Sequence, residues 1–125
     1  MIDLAKNNSP LDLSYLSDMS GDSAEFMIEM IDMFKSQTPL YISDLEQSIV
    51  AKDWEKAAGH AHKIKPTLSY VGREDARGHL QYIENSAREE KDLDDLPRAF
   101  QEFSDFANVL YRQLDEAKAE LEKRV

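Results

Sequence analysis

The chain has no cysteine, four glycines and four prolines. The first absence removes disulfides, thiolate metal centres and cysteine nucleophiles, and it fits a reducing compartment. The prolines (Pro10, Pro39, Pro66 and Pro97) stand far apart, so no proline-rich linker divides the chain. Alternating apolar and polar residues of the strand type are missing, as are repeats and low-complexity tracts. No apolar run approaches the roughly 18–20 residues of a membrane span, and no basic segment leads into an apolar one at Met1. Positive charge is the scarcer sign: 15 Lys and Arg stand against 25 Asp and Glu, a net charge of −10. Such a surface repels nucleic-acid phosphates and anionic lipid, which speaks against nucleic-acid and membrane-surface functions.

What is present is apolar content and helical period. Apolar residues make up 42% of the 125, with five Phe, five Tyr and one Trp, too many for a disordered acidic chain. The expectation is one soluble, cytoplasmic domain over residues 1–125. Its N-terminal helices occupy about 11–37 and its core bundle about 38–124. The first helix is expected near Leu11–Asp18 and the second near Ala24–Gln37, with Phe26, Met27, Met30, Met33 and Phe34 inward. Thr38-Pro39 reads as a cap and first-turn proline opening a new helix, or as a bend in one long helix. Asp53 caps a helix from Trp54 to about Tyr70, stopped by Gly72. Another runs from about Glu74 to Glu90. After the acidic connector of residues 89–95, Asp95 caps a long last helix. That helix repeats Leu96, Phe100, Phe103, Ala107, Leu110, Leu114, Ala117 and Leu121 at steps of four and three. The predicted fold is all-α: an antiparallel four-helix bundle with additional short N-terminal helices. A homodimeric coiled coil on the last helix is the competing use of the stripe. A monomer is expected, because the other helices also need a partner face.

One helix departs from this generic pattern. With Trp54 at 0° and roughly 100° per residue, Ala57, Ala58, Ala61, Ile64 and Leu68 form one buried face. His62 falls at roughly 80°, off that face, with Lys65 and Ser69 along the same edge. Around it stand Ala58 and Gly59 on one side and Pro66 on the other, so bulk is missing near the imidazole. A glycine inside a helix costs about 1 kcal/mol and a proline about 3. Placing both around one exposed histidine favours access to it over helix stability, although each is also compatible with a packing contact or a kink. Metal binding is disfavoured, because His60 and His62 point to opposite sides and His79 has no partner histidine at helical spacing.

The stretch Ala61-His62-Lys63-Ile64-Lys65-Pro66-Thr67-Leu68-Ser69-Tyr70-Val71-Gly72 resembles the active-site signature of histidine-containing phosphotransfer (HPt) domains. That signature reads roughly Ala-His-x-Leu-Lys-Gly-Ser, with a glycine ten residues after the histidine. His62, Lys65 and Gly72 match its offsets, while Pro66 replaces the usual glycine and removes the amide that would bond the His62 carbonyl. The resemblance implies a phosphocarrier in a multistep phosphorelay, in which His62 takes a phosphoryl group from one receiver-domain aspartate and passes it to another. It implies a carboxylate or amide 22 residues on that orients the imidazole, which here is Glu84, and a lysine that stabilises the phosphoryl group, Lys65. Gly59, Pro66, Ser69 and Gln81 are the supporting residues, Thr67 adds a possible hydroxyl contact, and Met19 and Ala58 are candidates for partner contact. The implied partners are response-regulator receiver domains and a hybrid histidine kinase. No cofactor of its own is implied, and magnesium belongs to the receiver. With no room for an ATP-binding domain, the chain is a phosphocarrier rather than an enzyme that phosphorylates itself. A non-catalytic adaptor that binds a receiver or kinase is the alternative.

Overall fold

Five α-helices account for most of the chain: α1 (Ser14–Ser20), α2 (Ala24–Val50), α3 (Trp54–Tyr70), α4 (Glu74–Glu89) and α5 (Leu96–Glu122). Short 3₁₀ turns occupy Leu4–Asn8 and Leu93–Asp95. These elements are taken from a computed structural model that describes residues 2–125, and no strand occurs among the described residues. Helices α2 to α5 form the antiparallel four-helix core, with α3 packed on α2 and α4, and α5 on the other side of the same pair. Helix α1 crosses the end of α2 and α3.

Local chemistry sets several of the boundaries. The Ser23 hydroxyl accepts from the Phe26 amide at 3.2 Å and starts α2. The Asp53 carboxylate accepts from the Lys56 amide at 3.3 Å and starts α3. Helix α3 ends in a Schellman motif, with Arg73 N–H to Leu68 C=O at 2.8 Å and Gly72 N–H to Ser69 C=O at 3.2 Å. Gly72 takes φ +77°, and a Cβ there would lie 2.8 Å from Asp12 Cβ and closer still to the Asp12 carbonyl oxygen. The N-terminal segment thus passes directly over the end of the histidine helix.

Two expected boundaries differ. Thr38 opens no new helix, and the alternative of one long helix holds: Thr38 is buried within α2, which runs unbroken through Pro39 past the expected end at Gln37. Proline has no N–H, so the Lys35 carbonyl loses its i+4 partner at a cost of about 3 kcal/mol. Burial of Met27, Ile31, Phe34, Leu45 and Ile49 along one continuous stripe on both sides of Pro39 keeps the helix whole. That stripe leaves Phe26 and Met30 only partly buried and Met33 exposed, while Ile31 enters the core. Asp95 likewise makes no cap bond to α5. Its carboxylate accepts instead from the Tyr82 hydroxyl at 2.7 Å and from Arg98 Nε at 2.6 Å.

The expected faces of α3, α4 and α5 enter one core: Ile64 and Leu68, Leu80 and Ile83, Phe103 and Leu110 are all buried. Ala117 is half-buried, and Ala99, Phe106 and Gln113 widen the α5 face beyond the heptad stripe because it covers two helices. A polar clamp fixes the N-terminus to this bundle. Buried Arg73 donates to Asp75 Oδ2 and Asn7 Oδ1, each at 2.9 Å, and to Gln113 Oε1 at 2.8 Å. Gln113 in turn donates to the carbonyls of Lys6 at 2.8 Å and Ser9 at 2.9 Å.

Candidate functional site

Three cross-helix pairs, His62 with Glu84, Lys65 with Gln81 and Ser69 with Arg77, run down the groove between α3 and α4. They follow from antiparallel packing, which pairs residues of the two helices in reverse order. On the other flank of α3, the Lys63 ammonium sits 4.6 Å from the Tyr41 ring centroid.

At the head of the groove the His62 side chain is 65% exposed, while Glu84 is 7% exposed and Lys65 8%. His62 Nδ1 lies 3.3 Å from Glu84 Oε2, which turns Nε2 outward. Lys65 Nζ lies 2.6 Å from Glu84 Oε1 as an ion pair and donates to Gln81 Oε1 at 2.6 Å. Gln81 Nε2 donates to Asn85 at 2.8 Å. Burial pushes the Glu84 carboxyl up, but hydrogen bonds from Lys65 and Arg88, with the charge of Lys65, hold it below its usual range. A carboxylate only accepts. Its contact with the ring therefore favours the neutral tautomer with hydrogen on Nδ1 and a lone pair on Nε2. The arrangement presents a nucleophilic nitrogen to solvent with a buried counter-charge behind it.

Other expected residues fall around this centre. Gly59 and Pro66 are exposed on either side of His62, and no heavy atom lies within 4 Å of where a Gly59 Cβ would sit. Gln81 belongs to the centre through Lys65. Ser69 does not; two turns away, its hydroxyl accepts from Arg77 at 2.6 Å. Thr67 is half-buried, with no side-chain hydrogen bond among the described residues. Met19 is 51% exposed, within α1 rather than in the break after it. Ala58 corrects an expectation: its exposure is 0%, so it belongs to the core and offers nothing to a partner. Its position near the edge of the apolar arc lies under the packing of α3 between two neighbours. Among the described residues no group of three or more His, Asp or Glu is arranged to hold a metal ion.

Arg88 is the residue that sequence reasoning missed. Its Nε donates to Glu84 Oε2 at 3.0 Å, so one oxygen faces both the guanidinium and the imidazole. The i, i+4 spacing from Glu84 was the available signal.

The sequence matches the Hpt domain family over residues 29–123. The chain belongs to the Hpt domain family. The match covers α3, α4 and α5 and most of α2, and so includes His62 and Glu84. This Hpt domain is 36% identical over 66 residues to the phosphorelay intermediate protein rdeA of Dictyostelium discoideum. That alignment takes in 53% of this chain and 26% of the relative, so the chain spans about a quarter of the curated relative's length. Its fold is similar to the crystal structure of histidine-containing phosphotransfer protein B (HptB) from Pseudomonas aeruginosa PAO1. The TM-score is 0.66 at 20% identity, covering 94% of this chain and 95% of the other. The four-helix core is therefore the shared architecture, and residue roles rest on this chain's own geometry.

Proposed function

We propose that this Hpt domain is a phosphorelay intermediate that carries a phosphoryl group on His62 Nε2 between aspartates of response-regulator receiver domains. The observation that carries the reading is an exposed imidazole whose inner nitrogen lies 3.3 Å from a buried carboxylate. Nε2 attacks phosphorus, the P–O bond to the receiver aspartate breaks, and the aspartate leaves as carboxylate. The Nδ1 hydrogen stays in place, so the ring gains positive character that Glu84 offsets. Reversal delivers the group to a second aspartate. Lys65, paired with Glu84 and braced by Gln81, keeps that carboxylate ionised at the ring. Magnesium in this scheme belongs to the receiver, and a hybrid histidine kinase is the upstream donor of the relay.

The exposed face supports docking. Gly59 and Pro66 keep the approach to His62 low, and Met19 offers a deformable apolar contact at one end. The exposed charges of helix α3 are Lys56 and Lys63 against Glu55, a local net charge of +1 in a chain of −10. That sign suits the acidic pocket of a phosphorylated receiver.

Purified receiver domains labelled on aspartate should transfer an acid-labile, alkali-stable phosphoryl label to this protein, and His62→Gln should abolish the transfer. Receiver binding without label on His62 would instead identify an adaptor and refute the proposal.

A further inference from the structure

Two cations flank Glu84, and they differ in freedom. Lys65 is buried, and its ammonium is held between Glu84 Oε1 and Gln81 Oε1, each at 2.6 Å. Arg88 is 53% exposed and tied only through Nε, at 3.0 Å from Glu84 Oε2. Among the described residues neither terminal nitrogen of Arg88 makes a hydrogen bond. His62 Nδ1 touches the same oxygen at 3.3 Å, so the two nitrogens lie within about 6 Å of each other. The α3–α4 pairs place Arg88 level with Ala58 and Gly59, one turn before His62. Beyond the helix's own backbone, nothing lies within 4 Å of where a Gly59 Cβ would sit, so the α3 surface is open at that level.

We infer that Arg88 is the phosphoryl-binding cation of this site, with Nε on Glu84 and the terminal N–H groups on the oxygens of a phosphoryl group carried by His62 Nε2. A guanidinium can do both at once, because its donors form a rigid fork. Lys65 is then a positioning residue that acts through Glu84. This inference rests on His62 being the phosphoryl acceptor, but it requires no receiver.

Potassium phosphoramidate is the probe. Ammonia leaves as the phosphorus moves from its nitrogen to Nε2 of His62, and ³¹P NMR follows the second ionisation of the product. The relevant resonance is the one that His62→Gln lacks. The charged groups facing the phosphoryl site are Lys65 from α3, and Glu84 and Arg88 from α4. Arg88→Ala should raise the pKa of the phosphoryl group by about one unit by removing its nearest free cation. Arg88→Lys should fall between, since an ammonium cannot hold Glu84 and the phosphoryl group through separate rigid donors. Lys65→Met should leave the phosphoryl titration nearly unmoved. Coincident titrations of wild type, Arg88→Ala and Arg88→Lys would overturn the inference, as would a shift seen only in Lys65→Met. Phosphoramidate labelling with the predicted shifts, but no labelling by any receiver, would strike the relay assignment and leave Arg88 in place.

Discussion

Substitution of Gly72 by alanine tests how the N-terminal segment is held over the end of α3. Two costs arise at this position. A Cβ-bearing residue at φ +77° is in the left-handed region, which costs roughly 1–2 kcal/mol. The new methyl would also lie within 2.8 Å of Asp12 Cβ and nearer still to the Asp12 carbonyl. Backbone is not the far end of a flexible side chain, so residues around Asp12 must shift. Overpacking of this kind costs about 1–3 kcal/mol. The combined destabilisation is about 3 kcal/mol, or roughly 10 °C in Tm for a domain of this length. Urea unfolding followed by circular dichroism measures it, with Gly72→Asn as the discriminating variant. Asparagine tolerates the left-handed region but keeps the Cβ, so it should recover the backbone share and retain the steric one. Asparagine matching glycine within about 0.5 kcal/mol would refute the close approach of Asp12; alanine also matching would refute the strain. Label transfer to His62 in folded Gly72→Ala should persist, since His62 stands well over two turns away.

Glu84→Ala leaves Lys65 buried without its carboxylate and should cost about 3–5 kcal/mol in urea unfolding, with Glu84→Gln milder because it keeps an acceptor. Glu84 titrates below its ordinary 4.5 in the folded state, so its contribution is present above that value and is lost as pH falls through the lower folded one. The stability gap between wild type and Glu84→Gln should therefore narrow on going from pH 7 to pH 3. Among the described residues the buried Tyr111 hydroxyl has no partner, and burial pushes its phenol up to about 12. Tyr111→Phe should be neutral or stabilising by up to about 1 kcal/mol, and a clear loss in the urea midpoint would reveal a missed partner. Arg73→Ala removes the donor shared by Asp75, Asn7 and Gln113 and should cost about 3–5 kcal/mol. Faster proteolysis near residues 3–9 should accompany it, and unchanged cleavage there would separate the clamp from the N-terminus.

Periodicity made the helical core legible, because a face buried along its whole length repeats every three or four residues. The α5 stripe and the alanine-rich face of α3 are examples. It did not show that α2 continues through Pro39, since a Thr-Pro pair carries the local signal of a helix start and only packing on both sides overrides it. At the site, the face of α3 placed His62 and Lys65 on one edge, and the resemblance to the HPt signature added Glu84, with Gln81 one turn before it. The difference in burial between Lys65 and Arg88 was not legible, because it depends on how α3 and α4 pack against each other. The Arg73 clamp left no signature either: two of its partner atoms are backbone carbonyls gripped by Gln113 across more than a hundred residues. Asp95 shows the reverse error, a good capping residue captured by stronger donors from Tyr82 and Arg98.

The two helix-interior prolines stand at one height in the bundle. Lys63 over Tyr41 fixes the level of α3 against α2, and it sets Pro66 beside Pro39. The carbonyls of Lys35 and His62 both go without an i+4 amide, so the adjacent ladders each lack a rung at the same height. Each helix therefore has one interior level that is held by one hydrogen bond fewer. Amides flanking this level should exchange with solvent ahead of those a turn further away.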